Sequence, residues 1–191
     1  MRKGHRVGGE ARKALPMSNA VAVRFRNVFR GLYAAIALIV FAGDQATKVL
    51  VKDSVPEHTV IPIIPHFLNL THTQNAGVAF GLFSDAPAPW KTAVLIVVSV
   101  VLLAAVTGIV VRSRHLHWES GVGLAMILGG ALSNLVDRIR MGRVVDFVDI
   151  YFRSYHWPTF NLADSAIVVG AIFLILQLIF FESDSHATSF G

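Results

Sequence analysis

TAVLIVVSVVLLAAVTGIVV, residues 92–111, carries no ionisable side chain and stops at Arg112 and Arg114. A helix rising about 1.5 Å per residue needs roughly 20 residues to cross a hydrocarbon core of about 30 Å, so this run spans a bilayer by itself. Three further apolar runs flank it. Residues 31–50 form one, interrupted by Asp44 and Lys48; residues 120–136 form another, uncharged between Glu119 and Asp137; residues 162–181 form the last, with Asp164 as its only charge. The chain is therefore expected to be an all-α membrane protein with four transmembrane helices, at about 31–50, 92–111, 120–136 and 162–181. The connections 51–91 and 137–161 then lie on one side of the membrane.

Composition agrees with the pattern. Of 191 residues, 54% are hydrophobic and 15% charged, with a mean hydropathy of +0.59. Soluble domains run nearer 45–50% apolar and about 25% charged. Cysteine is absent, which excludes disulfides, thiolate metal sites and a cysteine nucleophile. The net charge of +5 is concentrated in an arm: Arg2, Lys3, Arg6, Arg12, Lys13, Arg24, Arg26 and Arg30 all precede the first apolar run. A basic arm of this kind is no groove-lining surface, and no nucleic acid is expected as a partner. That run is too long for a cleavable signal peptide and lacks a small-x-small cleavage site. The arm, residues 1–30, places the N-terminus in the cytoplasm, and an even number of crossings returns the tail, 182–191, to the same side. Both long connections then face outward. Arg138, Arg140, Arg143 and Arg153 in the second of them oppose this orientation, against only Arg112 and Arg114 on the inner side. The orientation rests on the arm, read mainly as a solvated tail.

Within the outer connections, Val60-Ile61-Pro62-Ile63-Ile64-Pro65 is barred from a central strand by its prolines, whereas Phe67 to Thr73 reads as a strand. Arg143 to Tyr151 is rich in β-branched and aromatic residues and reads as extended. A small β element on the outer face is the expected result. In the third apolar run Gly121, Ala125, Gly129 and Ser133 recur at every fourth residue, a small-residue ridge that admits a neighbouring helix closely.

An ionisable group in the centre of a membrane helix costs about 2.5–3.5 kcal/mol on insertion scales. The acids in this chain are correspondingly confined: Asp44, Asp137, Asp146 and Asp164, together with Lys48, Asn134, Arg138 and Asn161, all fall at outer helix ends or in the outer connection. Asp44 and Lys48, four apart, share a helix face and pair, either as an interfacial anchor or as part of a site. Asn134, Asp137 and Arg138 sit on one helix turn, open to a hydrogen-bonding or a functional reading. Asn161 and Asp164 match an N-cap and an acid at the third helical position, and a cap alone would account for both. Asp146 lies close enough in sequence to meet Asp164. Two adjacent carboxylates do not both ionise readily, so one keeps a proton while the other acts as base, the chemistry of an aspartic peptidase. No zinc helix, nucleophile elbow or phosphate loop is present, and His115-x-His117 beside Arg114 is too little for a metal site. No metal and no cofactor are expected.

Asp44…Lys48, Asn75-Ala76-Gly77-Val78-Ala79-Phe80, Asn134-Leu135-Val136-Asp137-Arg138, Val145-Asp146-Phe147 and Phe160-Asn161-Leu162-Ala163-Asp164 stand in this order among the four apolar runs. In this they resemble the bacterial lipoprotein signal peptidase family, also called signal peptidase II, over about residues 32–181. The resemblance implies an inner-membrane aspartic endopeptidase that removes the signal peptide from diacylglyceryl-modified prolipoproteins, cutting before the lipidated cysteine at the outer interface. It implies Asp146 and Asp164 as the catalytic pair. It assigns Asn75, Asn134, Arg138 and Asn161 to orienting substrate or the aspartates, with Asp137 supporting Arg138. Asp44 and Lys48 match a family pair, and Gly77, Ala79 and Phe80 an outer segment packed near substrate beside a β cradle and a short lid helix. Its partners would be the lipidated precursor and membrane lipid, with the enzyme a monomer in the bacterial cytoplasmic membrane. Ser133 departs from the glycine expected there. A proton-coupled transporter would distribute polar groups through the membrane depth, which the uncharged second and third runs do not; a non-enzymatic assembly factor would use the acids only as caps and anchors.

Overall fold

A computed structural model of the chain describes residues 19–76, 89–112 and 117–181. Four helices and a four-stranded sheet follow in the order α1 (Asn19–Ser54), β1 (Val60–Ile64), β2 (Leu68–Asn75), α2 (Pro89–Arg112), α3 (Trp118–Met141), β3 (Val144–Phe152), β4 (Tyr155–His156) and α4 (Leu162–Phe181). All four helices are long and apolar enough to span a membrane. Two boundaries differ from the sequence reading. Helix α1 already runs from Asn19, so the later part of the segment read as an arm is helical. Helix α3 continues to Met141, so Asp137 and Arg138 belong to a helix rather than to the connection after it. Both extensions run into charged sequence, where apolarity marks the hydrocarbon span and not the end of the helix. Residues 1–18, the tail 182–191, His115, Gly77, Ala79, Phe80 and the segment for a lid helix lie outside the described residues.

Helix α3 is central, and its small residues explain why. Two of its faces are stripped of side-chain bulk. On one, Gly121 lies against the Tyr33 ring, Gly129 against the Ala37 carbonyl, Ser133 against Asp44 and Asp137 against Lys48, so the four-residue ridge is the α1 contact. On the other, a Cβ added to Gly123 would lie 2.7 Å from the Gly170 carbonyl oxygen, and one added to Gly170 would lie 2.5 Å from that of Gly123. A Cβ on Gly130 would come 2.5 Å from the carbonyl oxygen of Ala163, the residue before Asp164. Close backbone approach of this kind replaces the hydrophobic effect as the packing force inside lipid. Gly130→Val is accordingly expected to push the start of α4 away from α3 and to cost about 1–3 kcal/mol, as overpacking does; the check is thermal unfolding in detergent beside the cleavage rate, both of which should fall.

Helix α3 ends at Gly142, whose φ of +71° is a left-handed conformation that a side chain would strain, and whose N–H returns to the Arg138 carbonyl at 3.0 Å. The chain then turns at once into β3. The sheet order is β1-β2-β3-β4, antiparallel throughout, with β1 as an exposed edge that accommodates Pro62. Strand β2 is bulged: Leu70 pairs with Val148 and Thr73 with Asp146, three residues set against two. Phe160 bridges to Val148, its N–H donating at 3.1 Å and its carbonyl accepting from Phe147 and Val148. That bridge joins the entrance of α4 to the middle of β3.

Candidate active site

The Phe160 bridge sets Asn161 beside Asp146, and helix geometry sets it beside Asp164. Its side-chain Nδ2 donates to Asp146 Oδ1 at 2.7 Å. Its Oδ1 accepts from the Asp164 backbone N–H at 2.9 Å, while its own N–H donates to Asp164 Oδ2 at 3.3 Å. This is a reciprocal N-terminal cap with an acid at the third helical position, as the Asn-x-x-Asp spacing predicts. The cap does more than end the helix, because its remaining donor is spent on the second carboxylate. Asp146 and Asp164 are thus held by one asparagine.

Each carboxylate has a second donor. Asn75 Nδ2, from the end of β2, reaches Asp146 Oδ2 at 2.9 Å, and Asn134 Nδ2, from α3, reaches Asp164 Oδ1 at 2.8 Å. Asp146 is 1% exposed. Burial pushes its carboxyl from 3.8 up to about 6; the hydrogen bond from Asn75 opposes that rise and the charge of Asp164 adds to it. Arg138 is half-buried, donates to the Asn134 carbonyl at 3.2 Å and contributes positive charge next to both acids.

Behind these residues lies a second polar layer between α1, α3 and α4. Lys48 is 3% exposed, with its ammonium 2.6 Å from Asp44 Oδ2, 2.6 Å from Asp137 Oδ2 and 2.7 Å from Asn134 Oδ1. Asp44, fully buried, also accepts from Ser133 Oγ at 2.7 Å and from the Ala163 backbone N–H at 2.8 Å. Asp137 faces this layer, where its Oδ1 accepts from Gln45 Nε2 at 2.8 Å, and its charge also acts on Arg138. Gln45 and the hydroxyl of Ser133 are site groups that sequence reasoning misses. The available signal is an uncharged polar side chain, Gln45, directly adjacent to Asp44 in a mostly apolar run. Asp44, Lys48, Asn75, Asn134, Asp137, Arg138, Asp146, Asn161 and Asp164 are all brought to this one region. Among the described residues no cluster of three or more acids, histidines or cysteines is arranged to hold a metal.

A family model described as Signal peptidase (SPase) II matches residues 36–180, spanning both polar layers. The chain belongs to the signal peptidase II family. It is similar to the lipoprotein signal peptidase of Solibacter usitatus (strain Ellin6076), 41% identical over 144 residues that cover 75% of this chain and 88% of that one. It is 42% identical to the lipoprotein signal peptidase of Desulforapulum autotrophicum over 145 residues, 76% and 90% of the two chains. A solved structure described as a bacterial membrane enzyme superposes with a TM-score of 0.72 at 30% identity, covering 84% of this chain and 93% of that chain. A second, of like description, gives 0.70 at 29% identity, over 79% and 94%. As a signal peptidase II the protein is a bacterial multi-pass membrane enzyme, an aspartic endopeptidase that cleaves the signal peptides of prolipoproteins.

Proposed function

We propose that Asp146 and Asp164 are the catalytic pair of this signal peptidase II, acting on diacylglyceryl-modified prolipoproteins just before the lipidated cysteine. The observation that carries the reading is the shared Asn161, which binds both carboxylates while α3 and β2 supply each with one further amide donor. The ionised member takes a proton from water as its oxygen attacks the scissile carbonyl, and the protonated member delivers its proton to the carbonyl oxygen. Collapse of the tetrahedral carbon then breaks the C–N bond, and the amine leaves with a proton from the pair. Arg138 and Asn75 orient substrate and acids. Gly77, in sequence next to this strand end, is assigned to substrate contact. The domain from 31 to 181 carries the whole activity, as a monomer.

Substrate chemistry supports a site at this depth. A signal peptide is an apolar helix and its diacylglyceryl group a lipid, so both approach through the bilayer, while hydrolysis needs water at the interface. The acids lie where the helices α3 and α4 meet the sheet. The basic N-terminal sequence supports cytoplasmic termini and an outward-facing site. A purified preparation should cut a diacylglyceryl-modified precursor once, before its cysteine, and leave the unmodified precursor intact; cleavage of both at equal rates would overturn the substrate assignment. A reporter fused to the C-terminus should fluoresce in the cytoplasm.

The titration also has a sign. Asn75 donates to the charged form of Asp146, so Asn75→Ala makes ionisation harder and the proton is kept to higher pH. The alkaline limb of kcat/KM is expected to move up by about 0.5–1 pH unit relative to the parent enzyme, on the scale of one hydrogen bond. A pH–rate profile of the two proteins checks this.

A further inference from the structure

The Lys48 ammonium has three oxygens within 2.7 Å: it donates a hydrogen bond to Asn134 Oδ1 and is ion-paired with the carboxylates of Asp44 and Asp137. An ammonium can only donate. Whatever atom of Asn134 faces it must therefore be the amide oxygen, and Asn161 Nδ2, also a donor, approaches that same oxygen at 3.3 Å. With its oxygen claimed, the Asn134 amide has only its NH2 to offer on the other side, and that group meets Asp164 Oδ1 at 2.8 Å. The reverse orientation would set NH2 against NH3+ and a carbonyl oxygen against a carboxylate.

We infer that Lys48 is a positioning residue: its ammonium decides which way round the Asn134 amide lies, and so keeps a donor, not an acceptor, against Asp164. The inference rests on the dyad reading above. Asp44 and Asp137 hold the ammonium in place and are themselves held by Ser133 and Gln45, which is why a cluster of one cation and two anions persists at near-zero exposure. Lys48 lies one residue removed from the reacting groups. The charged and titratable groups that act on Asp164 are Asp146 from β3, Arg138 from α3 and Lys48 from α1, with Asn161 at its own helix start. With the amide fixed, Asp164 is supported as the ionised partner; with the amide reversed, it would need a proton to satisfy the carbonyl facing it.

The test compares the parent with Asp137→Asn/Lys48→Met, which removes one buried charge of each sign and leaves the cluster's net charge unchanged. Cleavage of a lipidated precursor is followed in detergent as a function of pH. In the double variant kcat should fall about 100-fold with KM within about 3-fold of the parent, the scale expected when a catalytic group is misplaced. The acid limb, which the ionised partner Asp164 sets, should rise by about one pH unit, a shift that a general loosening of the fold would not produce. Adding Asn134→Ala to it should change kcat by no more than about 3-fold, since Lys48 acts through that residue. Losses that multiply, or a limb that stays in place, would overturn the inference. Asn134→Asp gives a second reading that does not depend on removing Lys48, because the new acid sits on the ammonium while the N–H to Asp164 is lost. Its limb should also rise, and an unmoved limb would again contradict the inference. Failure of the dyad itself looks different: Asp164→Asn would keep cleaving, whatever these variants do.

Discussion

Asp146→Asn is expected to lose cleavage by about 1,000-fold or more while unfolding at a higher temperature than the parent enzyme at pH 8. The loss follows from removing one of two groups that exchange protons with water and substrate, each worth about 10²–10⁴-fold. The gain follows from linkage. The folded protein raises the Asp146 carboxyl from 3.8 to about 6 by burial, so between those values the folded state binds more protons than the unfolded one. Stability therefore falls as pH rises through this window, and above about pH 6 the full penalty of a buried anion is present. A shift of this size corresponds to about 3 kcal/mol. The side-chain amide introduced by the substitution turns one N–H toward a donor, so the net gain at pH 8 is about 1–2 kcal/mol, or roughly 2–4 °C per kcal/mol. At pH 4 the gain should vanish. Unfolding temperatures of both proteins at pH 4, 6 and 8 in one detergent make the comparison.

A second buried aspartate carries the opposite sign. Asp44→Ala is expected to destabilise the fold by about 3–5 kcal/mol, because it breaks one pair of a buried ionic cluster. It also strips the Ser133 hydroxyl and the Ala163 N–H of their acceptor. The Ala163 N–H belongs to the first turn of α4, next to Asp164, so residual activity should fall together with stability. Thermal unfolding reads the first effect and the cleavage rate of the fraction still folded reads the second. If Asp44→Ala unfolded at the parent's temperature, Asp44 would be an interfacial anchor and nothing more. The contrast between Asp44 and Asp146 is physical. Both are buried, but Asp44 has an ammonium at 2.6 Å, whereas the donors to Asp146 are neutral amides and its neighbour Asp164 is a like charge. Asp44 has a counter-ion beside it, whereas Asp146 is held at odds with its ionised form, as a group poised for proton transfer must be.

How much of this is readable from sequence varies by residue. The helices are legible because lipid imposes a single strong signal, length without charge, and residues 92–111 satisfy it alone. Their ends are not, since α1 and α3 continue through charged sequence where hydropathy stops informing. The cap formed by Asn161 and Asp164 is legible from a three-residue spacing. That Asn161 also binds Asp146 is not, because it depends on Phe160 pairing with Val148 and on a bulge in β2, neither of which has a sequence periodicity. The small-residue ridge of α3 is legible as a packing surface; that its polar end, Ser133 and Asp137, meets Asp44 and Lys48 of α1, so that one face serves both packing and charge, emerges only from the fold. Asp137 shows the limit most plainly. The family resemblance assigns it to supporting Arg138, on which its charge does act, but its ion pair at 2.6 Å is with Lys48 of another helix, which no spacing announces.

The central claim is that two carboxylates act as one unit. It is tested most directly by the cleavage rates of Asp146→Asn, Asp164→Asn and the double variant, each purified in folded form and given the same diacylglyceryl-modified precursor. Groups acting together predict that all three fall to one common background rate, the double variant no slower than either single. Turnover within about ten-fold of the parent in either single variant would contradict the account.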